Sequence, residues 1–294
     1  MANLRDVRLR MRAITQTLQV TKAMNLISTA KLRKGRRLLE DTEPYFTRIQ
    51  KSMFDILSGA GNVQSGFIRT REKNSNYHTA IVVITSDKGL AGGYNANVCR
   101  HAMELCKKVT NPILVLSGVI GQRYFARTPY LVLENFSFRS QMPTVENANE
   151  IAGYLISQFE WGMFNEVHVV YTHMYSTIKL LPRGQQILPL DLSRMQEELS
   201  RAEGQKRVEL QFEFLPSPDE VFNALVPLYI RGIIYGSLVE AYVSEQSARM
   251  AAMDEASKSA EEMLATLQLS YNRARQAGIT QEMTEIVSGS AAQQ

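Results

Sequence analysis

The stretch SDKGLAGGYN, residues 86–95, follows the apolar run TAIVVIT and carries Gly89, Gly92 and Gly93 within five positions. Glycines between a strand and a helix can present backbone N–H groups to a phosphate, so nucleotide binding is the first chemistry to weigh. A P-loop follows its last glycine with Lys-Ser or Lys-Thr, because the lysine reaches the terminal phosphates and the hydroxyl holds magnesium. Here Gly93 is followed by Tyr94 and Asn95. A dinucleotide fingerprint spaces its glycines as GxGxxG, and these three do not. The loop is expected to turn a strand tightly into a helix, with no nucleotide or cofactor bound.

Other reactive residues lack a partner at working distance. Cys99, His101 and Cys106 look like metal ligands on paper, but positions two apart on a helix point to opposite sides. His168 and His173 bracket a predicted strand with a spacing that puts them on opposite faces. Glu197-Glu198 and Glu261-Glu262 read as solvated helix faces. No nucleophile motif, acid–base pair or metal set emerges, so no catalytic residue, cofactor or metal is expected. On one helix the two cysteines would stand roughly 10 Å apart, beyond the ~7 Å reach of a disulfide, which makes a reducing compartment the default. The N-terminus has no signal-peptide core, no run of ~20 apolar residues appears, and the mature chain is expected to start near Met1.

The elements that must position these residues divide the chain. Its 294 residues, 45% hydrophobic, suffice for roughly two domains and at least one sizeable core. From Leu4 the apolar residues Leu4, Val7, Met11, Ile14 and Leu18 alternate steps of three and four, the seam of a coiled coil. The stripe is then expected to shift by one position to Val20, Met24 and Ile27. Pro44 marks either a kink or the first turn of a continuing segment to Leu57, and GAGNVQSG ends it. At the other end PSPDE supplies a helix start. Beyond it Leu225, Leu228, Tyr235, Val239, Tyr242, Met253, Ala256, Ala260, Met263, Leu267, Ala274 and Ala277 form a second stripe, broken by Gly232, Gln246, Arg249 and Ser270. A helix from Pro218 to Val287 would be on the order of 100 Å long. The two end helices can pair antiparallel, and the part of the longer one that projects needs an external sleeve.

Between them TAIVVIT, PILVLS and VHVVYTH are short β-branched runs alternating with helical stretches at residues 97–108, 119–127 and 145–158, which predicts a mostly parallel, doubly wound sheet. STIKLLP and QQILPL read as two further strands, and VELQFEF follows a polar connection. The expected division is a shaft of residues 1–58 and 216–288, an α/β domain over 75–215 and a frayed tail, 289–294. Charge is uneven: residues 1–37 hold ten Lys or Arg against the single acid Asp6. Such an end could follow the phosphate backbone of a nucleic acid. No aromatic residues interleave with the basic ones, and the C-terminal arm is mixed in sign, which disfavours a nucleic-acid binder; the residues by themselves argue for a mechanical or scaffolding role, with a basic coiled-coil scaffold or nucleic-acid binding protein as the alternative.

ITQTLQVTKAMNLISTAKLRKG (14–35), TSDKGLAGGYN (85–95) and the long run SEQSARMAAMDEASKSAEEMLATLQLSYNRARQAGITQEMTEIVSGS (244–290) closely resemble the gamma subunit of F-type ATP synthases, and the match extends over essentially the whole chain. Gln16, Leu18 and Ser290 depart from the family's usual residues. The absence of a central insertion with a cysteine pair implies the bacterial type, without thiol regulation. The resemblance implies a long antiparallel coiled coil of the terminal helices with an inserted Rossmann-like α/β domain. It implies a non-catalytic rotor that transmits torque between a membrane c-ring and a 3:3 ring of alpha and beta subunits, coupling ion translocation to ATP synthesis or hydrolysis. Epsilon and the c-ring would hold the foot, at the cytoplasmic face of the bacterial cell membrane, with no nucleotide or nucleic acid bound directly. Matching motif positions places coupling contacts at Lys22, Met24, Arg275, Gln276, Thr280 and Glu282, and a foot at Phe212, Glu213 and Phe214.

Overall fold

The computed structural model describes residues 4–60, 63–68, 77–136, 142–177, 179–193 and 215–291. They form two units, Met1–Ala30 with Arg249–Gln294, and Lys31–Ala248. Two long helices, α1 (Leu4–Ala60) and α5 (Pro218–Ala291), contribute to both.

The first unit is a pair of antiparallel helices. On α1 the residues Leu4, Val7, Met11, Ile14, Leu18, Thr21, Asn25 and Ser28 follow steps of three and four, and none is exposed. They face an equally regular seam on α5, from Met250 and Met253 through Ser257, Ala260, Leu264, Leu267 and Tyr271 to Gly278. This is heptad packing. Pairs run in opposite directions: the Arg8 guanidinium donates to Tyr271 Oη at 2.8 Å, Ser257 Oγ lies 2.8 Å from Thr21 Oγ1, and Asn25 Nδ2 donates to Met250 O at 3.1 Å. The expected shift of the stripe does not occur. Val20 and Ile27 are 57% and 55% exposed, while Thr21 and Ser28 are buried in the seam. Small polar side chains can hold a heptad position because neighbouring groups satisfy them. Thr21 donates to Leu18 O at 3.0 Å and accepts from Ser257. On α5, likewise, Met263 faces outward and Leu264 packs inward.

The same seam spacing recurs in the second unit, through Leu32, Gly35, Phe46, Ile49, Met53 and Ile56 on α1 and Phe222, Tyr229, Gly232, Val239, Val243 and Gln246 on α5. Its glycines receive large side chains. A Cβ on Gly35 would stand 2.7 Å from Val243 Cγ2, and one on Gly232 would stand 2.1 Å from the Phe46 ring. Gly232 and Gln246, which interrupt an apolar stripe in the sequence, are therefore seam positions. Pro44 and Pro227 both lie inside continuous helix.

The sheet of the second unit has the order β3-β2-β1-β4-β5. Its strands are β1 (Thr79–Ile84), β2 (Pro112–Ser117), β3 (Leu131–Phe136), β4 (Glu166–Met174) and β5 (Leu180–Leu188). The first four are parallel, linked by α2 (Tyr94–Cys106), α3 (Val119–Phe125) and α4 (Val145–Glu160). Where two strands were expected from STIKLLP and QQILPL, one antiparallel strand β5 pairs with β4 through a tight connection in which Tyr175 N donates to Lys179 O. Pro182 lies within it on the edge of the sheet, where a missing N–H costs nothing. Strand β3, whose exposed positions include Leu131 and Leu133 and whose half-buried ones include Glu134, carried no clear sequence signal. VELQFEF lies outside the described residues. On one face Ile81, Val83, Leu114, Leu116 and Val170 pack with Val98, Cys99, Ala102 and Cys106 of α2 and Phe125 of α3.

In this unit α5 is buried on a second face as well. Ser237, Ala241, Ser244 and Ser247, again three or four apart, are buried about a third of a turn from the seam. Burial on two faces explains why part of α5 is apolar and long enough to cross a membrane by length and composition, although half of that window is enclosed by protein. Between the two stripes and β4 lies Glu240, which pairs with His173 Nδ1 and accepts from the Tyr171 hydroxyl.

Two outcomes test this packing. Gly232→Ala is expected to lower stability by about 1–3 kcal/mol despite alanine's better helix propensity. Thermal melts of Gly232→Ala and of Gly232→Ala/Phe46→Leu check it, the smaller side chain restoring part of the loss. Burial holds the Glu240 carboxyl above its ordinary value of 4.5, against the lowering effects of His173, Tyr171, the Met174 N–H and Arg183. The folded chain thus keeps this proton to higher pH than the unfolded chain, so the contribution is full below the ordinary value and shrinks as pH rises through the raised one. Glu240→Gln is expected to flatten the fall of Tm with pH over that window.

Candidate functional site

Loop 85–93 sits at the carboxyl end of β1, beside β4. In this strand order that is the point where the chain reverses direction across the sheet, the place where open α/β sheets take up ligands. The side chains of Ser86 and Asp87 are engaged locally. Ser86 N donates to Asn95 Oδ1 at 2.9 Å, Asn95 Nδ2 donates to Ser86 Oγ at 2.8 Å, and Ser86 Oγ lies 2.7 Å from Lys88 O. Asp87 Oδ1 accepts from Val119 N at 3.0 Å and so caps the start of α3. Gly92 has φ 56°, a left-handed turn that glycine adopts without strain. Beside the loop the crevice is crossed by α5. The Tyr94 hydroxyl donates to Ala241 O at 3.1 Å and Ser244 Oγ donates to Thr172 O at 2.9 Å, with all of these residues buried. A helix of the same chain stands where a doubly wound sheet would hold a nucleotide. The second buried face of α5 is the signal that a single-stripe reading of the sequence missed.

The remaining reactive side chains do not converge. Cys99 and Cys106 are buried in the sheet–helix core, and burial pushes both thiols up to about 11, which leaves them inert at neutral pH. His101 packs under Gly184 of β5, where its Nε2 would lie 3.3 Å from an added Cβ. His168 Nε2 lies 2.7 Å from Glu166 Oε1 at the opposite end of β4 from His173. Among the described residues no group of three or more His, Cys, Asp or Glu is arranged to hold a metal.

All six expected coupling residues fall in the first unit. Lys22 Nζ reaches Glu261 Oε1 at 2.7 Å across the helix pair, with both side chains more than half exposed. Met24 is half-buried beside the seam, and Arg275, Gln276, Thr280 and Glu282 are exposed. On the helix they separate into two stripes, Arg275 with Glu282 and Gln276 with Thr280, whose hydroxyl donates to Gln276 O at 2.9 Å. Phe212, Glu213 and Phe214 lie outside the described residues. The structure adds a groove of about 510 Å³ between the helices, lined by Arg8, Arg12, Gln16, Gln19, Gln268 and Tyr271 among others. Arg8 is fixed there by the Tyr271 hydroxyl and stands 5.6 Å over its ring. Gln16, one of the positions that departs from the family pattern, lines it. Large apolar side chains also face outward in this unit, with Leu26 and Ile286 each 72% exposed.

Comparison with known proteins matches the chain over residues 3–293 to the family model described as ATP synthase. It is 41% identical over 293 residues to the ATP synthase gamma chain of Acetivibrio thermocellus, covering 99% of each chain. It is 44% identical over 291 residues to that of Ruminiclostridium cellulolyticum, covering 99% of this chain and 98% of the other. Among solved structures, a chain of the Euglena gracilis mitochondrial ATP synthase (OSCP/F1/c-ring) superposes with TM-score 0.65 at 13% identity over 98% of this chain and 94% of its own. A chain of the Tetrahymena thermophila enzyme's central stalk and c-ring gives TM-score 0.60 at 22% identity, over 81% of this chain and 99% of its own. At those identities the structures speak for the fold alone: long N- and C-terminal helices with an α/β sheet between them in sequence. With a family model spanning nearly every residue and relatives above 40% identity end to end, the chain belongs to the ATP synthase gamma-chain family.

Proposed function

We propose that this chain is the central-stalk rotor of a bacterial F-type ATP synthase, non-catalytic itself and controlling the activity of a ring of three alpha and three beta subunits. The observation that carries the reading is the first unit. Its helix pair seals one seam, yet Leu26, Leu269, Met283 and Ile286 point outward from it. An isolated two-helix unit with large apolar flanks is stable and soluble inside an enclosing sleeve. The ring supplies that sleeve in this reading, and catalysis belongs to beta. Residues 1–58 and 216–288 serve as the shaft and 75–215 as the domain beside it. Epsilon and the c-ring grip the foot, near Phe212, Glu213 and Phe214, and the assembly sits at the cytoplasmic face of the cell membrane. Rotation of an asymmetric axle presents different faces to the three beta subunits in turn, which makes their affinities unequal.

In the same reading Lys22, Met24, Arg275, Gln276, Thr280 and Glu282 touch the ring. Guanidinium and amide groups on the C-terminal helix offer directional hydrogen bonds, whereas Met24 offers a soft apolar contact that slides. The basic start of α1 attracts an acidic partner surface over several ångströms and so speeds assembly.

The test is gel filtration and ATPase activity of purified alpha and beta subunits with and without this chain. One active complex containing the chain is expected; separate elution with unchanged activity would overturn the reading. A second outcome concerns charge. Glu261→Ala is expected to change stability by less than about 1 kcal/mol, because its ion pair with Lys22 is exposed. Lys22→Glu is expected to slow association with the ring severalfold at low ionic strength, with the difference fading in ~1 M salt, as stopped-flow mixing would record.

A further inference from the structure

In the second unit α5 meets the sheet through directional bonds rather than through apolar contact alone. Glu240 pairs with His173 Nδ1 and accepts from the Tyr171 hydroxyl and the Met174 N–H. Ser237 hydrogen-bonds to Tyr171 in turn, and Arg183 of β5, opposite Tyr171 in the ladder, adds a positive charge near both Tyr171 and Glu240. One turn on, Ser244 Oγ donates to Thr172 O at 2.9 Å, and Ser247 Oγ donates to Thr177 O at 2.9 Å. The Tyr175 ring stands edge-on to His173 with centroids 4.4 Å apart, closing the cluster from the strand side. Ser244 and Ser247 are fully buried and Tyr171 is 4% exposed.

Apolar packing resists separation but is non-directional, so by itself it lets a cylinder turn against the surface it lies on. Hydrogen bonds weaken steeply with angle, and buried ones are costly to leave unmade. Bonds from Ser237, Glu240 and Ser244 on successive turns of α5 to Tyr171, Thr172 and Met174 of β4, with the His173–Glu240 charge contact beside them, therefore fix the rotation of the helix about its own axis relative to the sheet. A largely buried acid–histidine pair seldom exceeds an apolar pair in stability, and in some proteins such a pair specifies one geometry.

We propose that Glu240, His173 and Tyr171, with Ser244 and Ser247, form a torsional clasp through which torque on the α/β domain enters the shaft helix. These are positioning residues, and the inference rests on the rotor reading. The clasp makes helix and sheet turn together, and without it part of each rotation is lost as slip of α5 on the sheet.

The test uses the full complex reconstituted in sealed vesicles, with a potential-sensitive dye reporting charge movement whatever the coupling ion. Wild type is compared with Glu240→Leu/His173→Leu, with Glu240→Gln, which keeps an acceptor for Tyr171, and with Ser244→Ala/Ser247→Ala. The expected result for the leucine pair is assembly with ATP hydrolysis within about twofold of wild type and at least a threefold smaller potential per ATP hydrolysed. Glu240→Gln is expected to recover most of that ratio, which a merely structural loss would not do. An assembled leucine variant with an unchanged ratio overturns the clasp. Should that variant fail to assemble, the serine variant decides by the same ratio, a fall supporting the clasp and no change overturning it. Failure of wild type to join alpha and beta overturns the rotor reading and the clasp with it, whereas a wild-type complex whose variants pump normally overturns the clasp alone.

Discussion

Everything else in this chain is arranged around one constraint: α1 and α5 must meet along a seam whose positions recur every three and four residues, from opposite ends of the sequence. The seam tolerates threonine, asparagine, serine, glycine and glutamine because geometry, not hydrophobicity, selects its positions. Thr21 with Ser257 and Asn25 with Met250 O answer each other's polar groups across the interface. Gly35 and Gly232 answer large side chains with empty space. A seam with several polar or missing side chains buries less apolar area per turn than a leucine zipper, but each non-aliphatic position fits only one partner, and that fixes the register.

The α/β domain inherits its form from the same constraint. A doubly wound sheet leaves a crevice at the carboxyl ends of its central strands, and in many proteins of this architecture that crevice is filled by a ligand. Here it is filled by α5 itself, through Ala241 and Ser244. The glycine-rich loop keeps the turn geometry of such folds while Ser86 bonds to Asn95 and Asp87 accepts from Val119 N. A fold widely used for binding thereby becomes a fitting that grips a shaft.

Much of this was legible in the sequence, and the failures share a cause. The heptad from Leu4 to Leu18, the parallel core strands and the lack of a phosphate fingerprint all follow from residue type and spacing. The seam beyond Leu18 was misread because Val20 and Ile27 are more apolar than Thr21 and Ser28, although the spacing favoured the latter pair. The extent of α5 was legible but its stripe was not, because a helix buried on two faces has no single stripe to follow, so Gly232, Gln246 and Arg249 looked like interruptions. Strand β3 was missed because residue type does not follow burial along it, Leu131 and Leu133 being exposed and Glu134 half-buried, and β5 was split in two by Pro182 and Gly184. Of the candidate contacts, the family motif supplied the positions. The spacing of Arg8 and Tyr271, 263 residues apart, held no signal before the antiparallel pairing was known.

The two buried faces of α5 also restrict how this chain can vary in length. Inserting one residue between Ser237 and Ser247 would turn everything beyond it by about 100° about the helix axis. Residues beyond the insertion could then meet α1 and the sheet only if those before it, turned by the same angle relative to them, lost their partners. An insertion of seven residues returns to within about 20° of the original phase, but displaces the helix by roughly 10 Å along a seam of matched glycines and aromatics. In this stretch the chain can exchange side chains yet has almost no freedom to gain or lose a residue, as with a key cut on two edges.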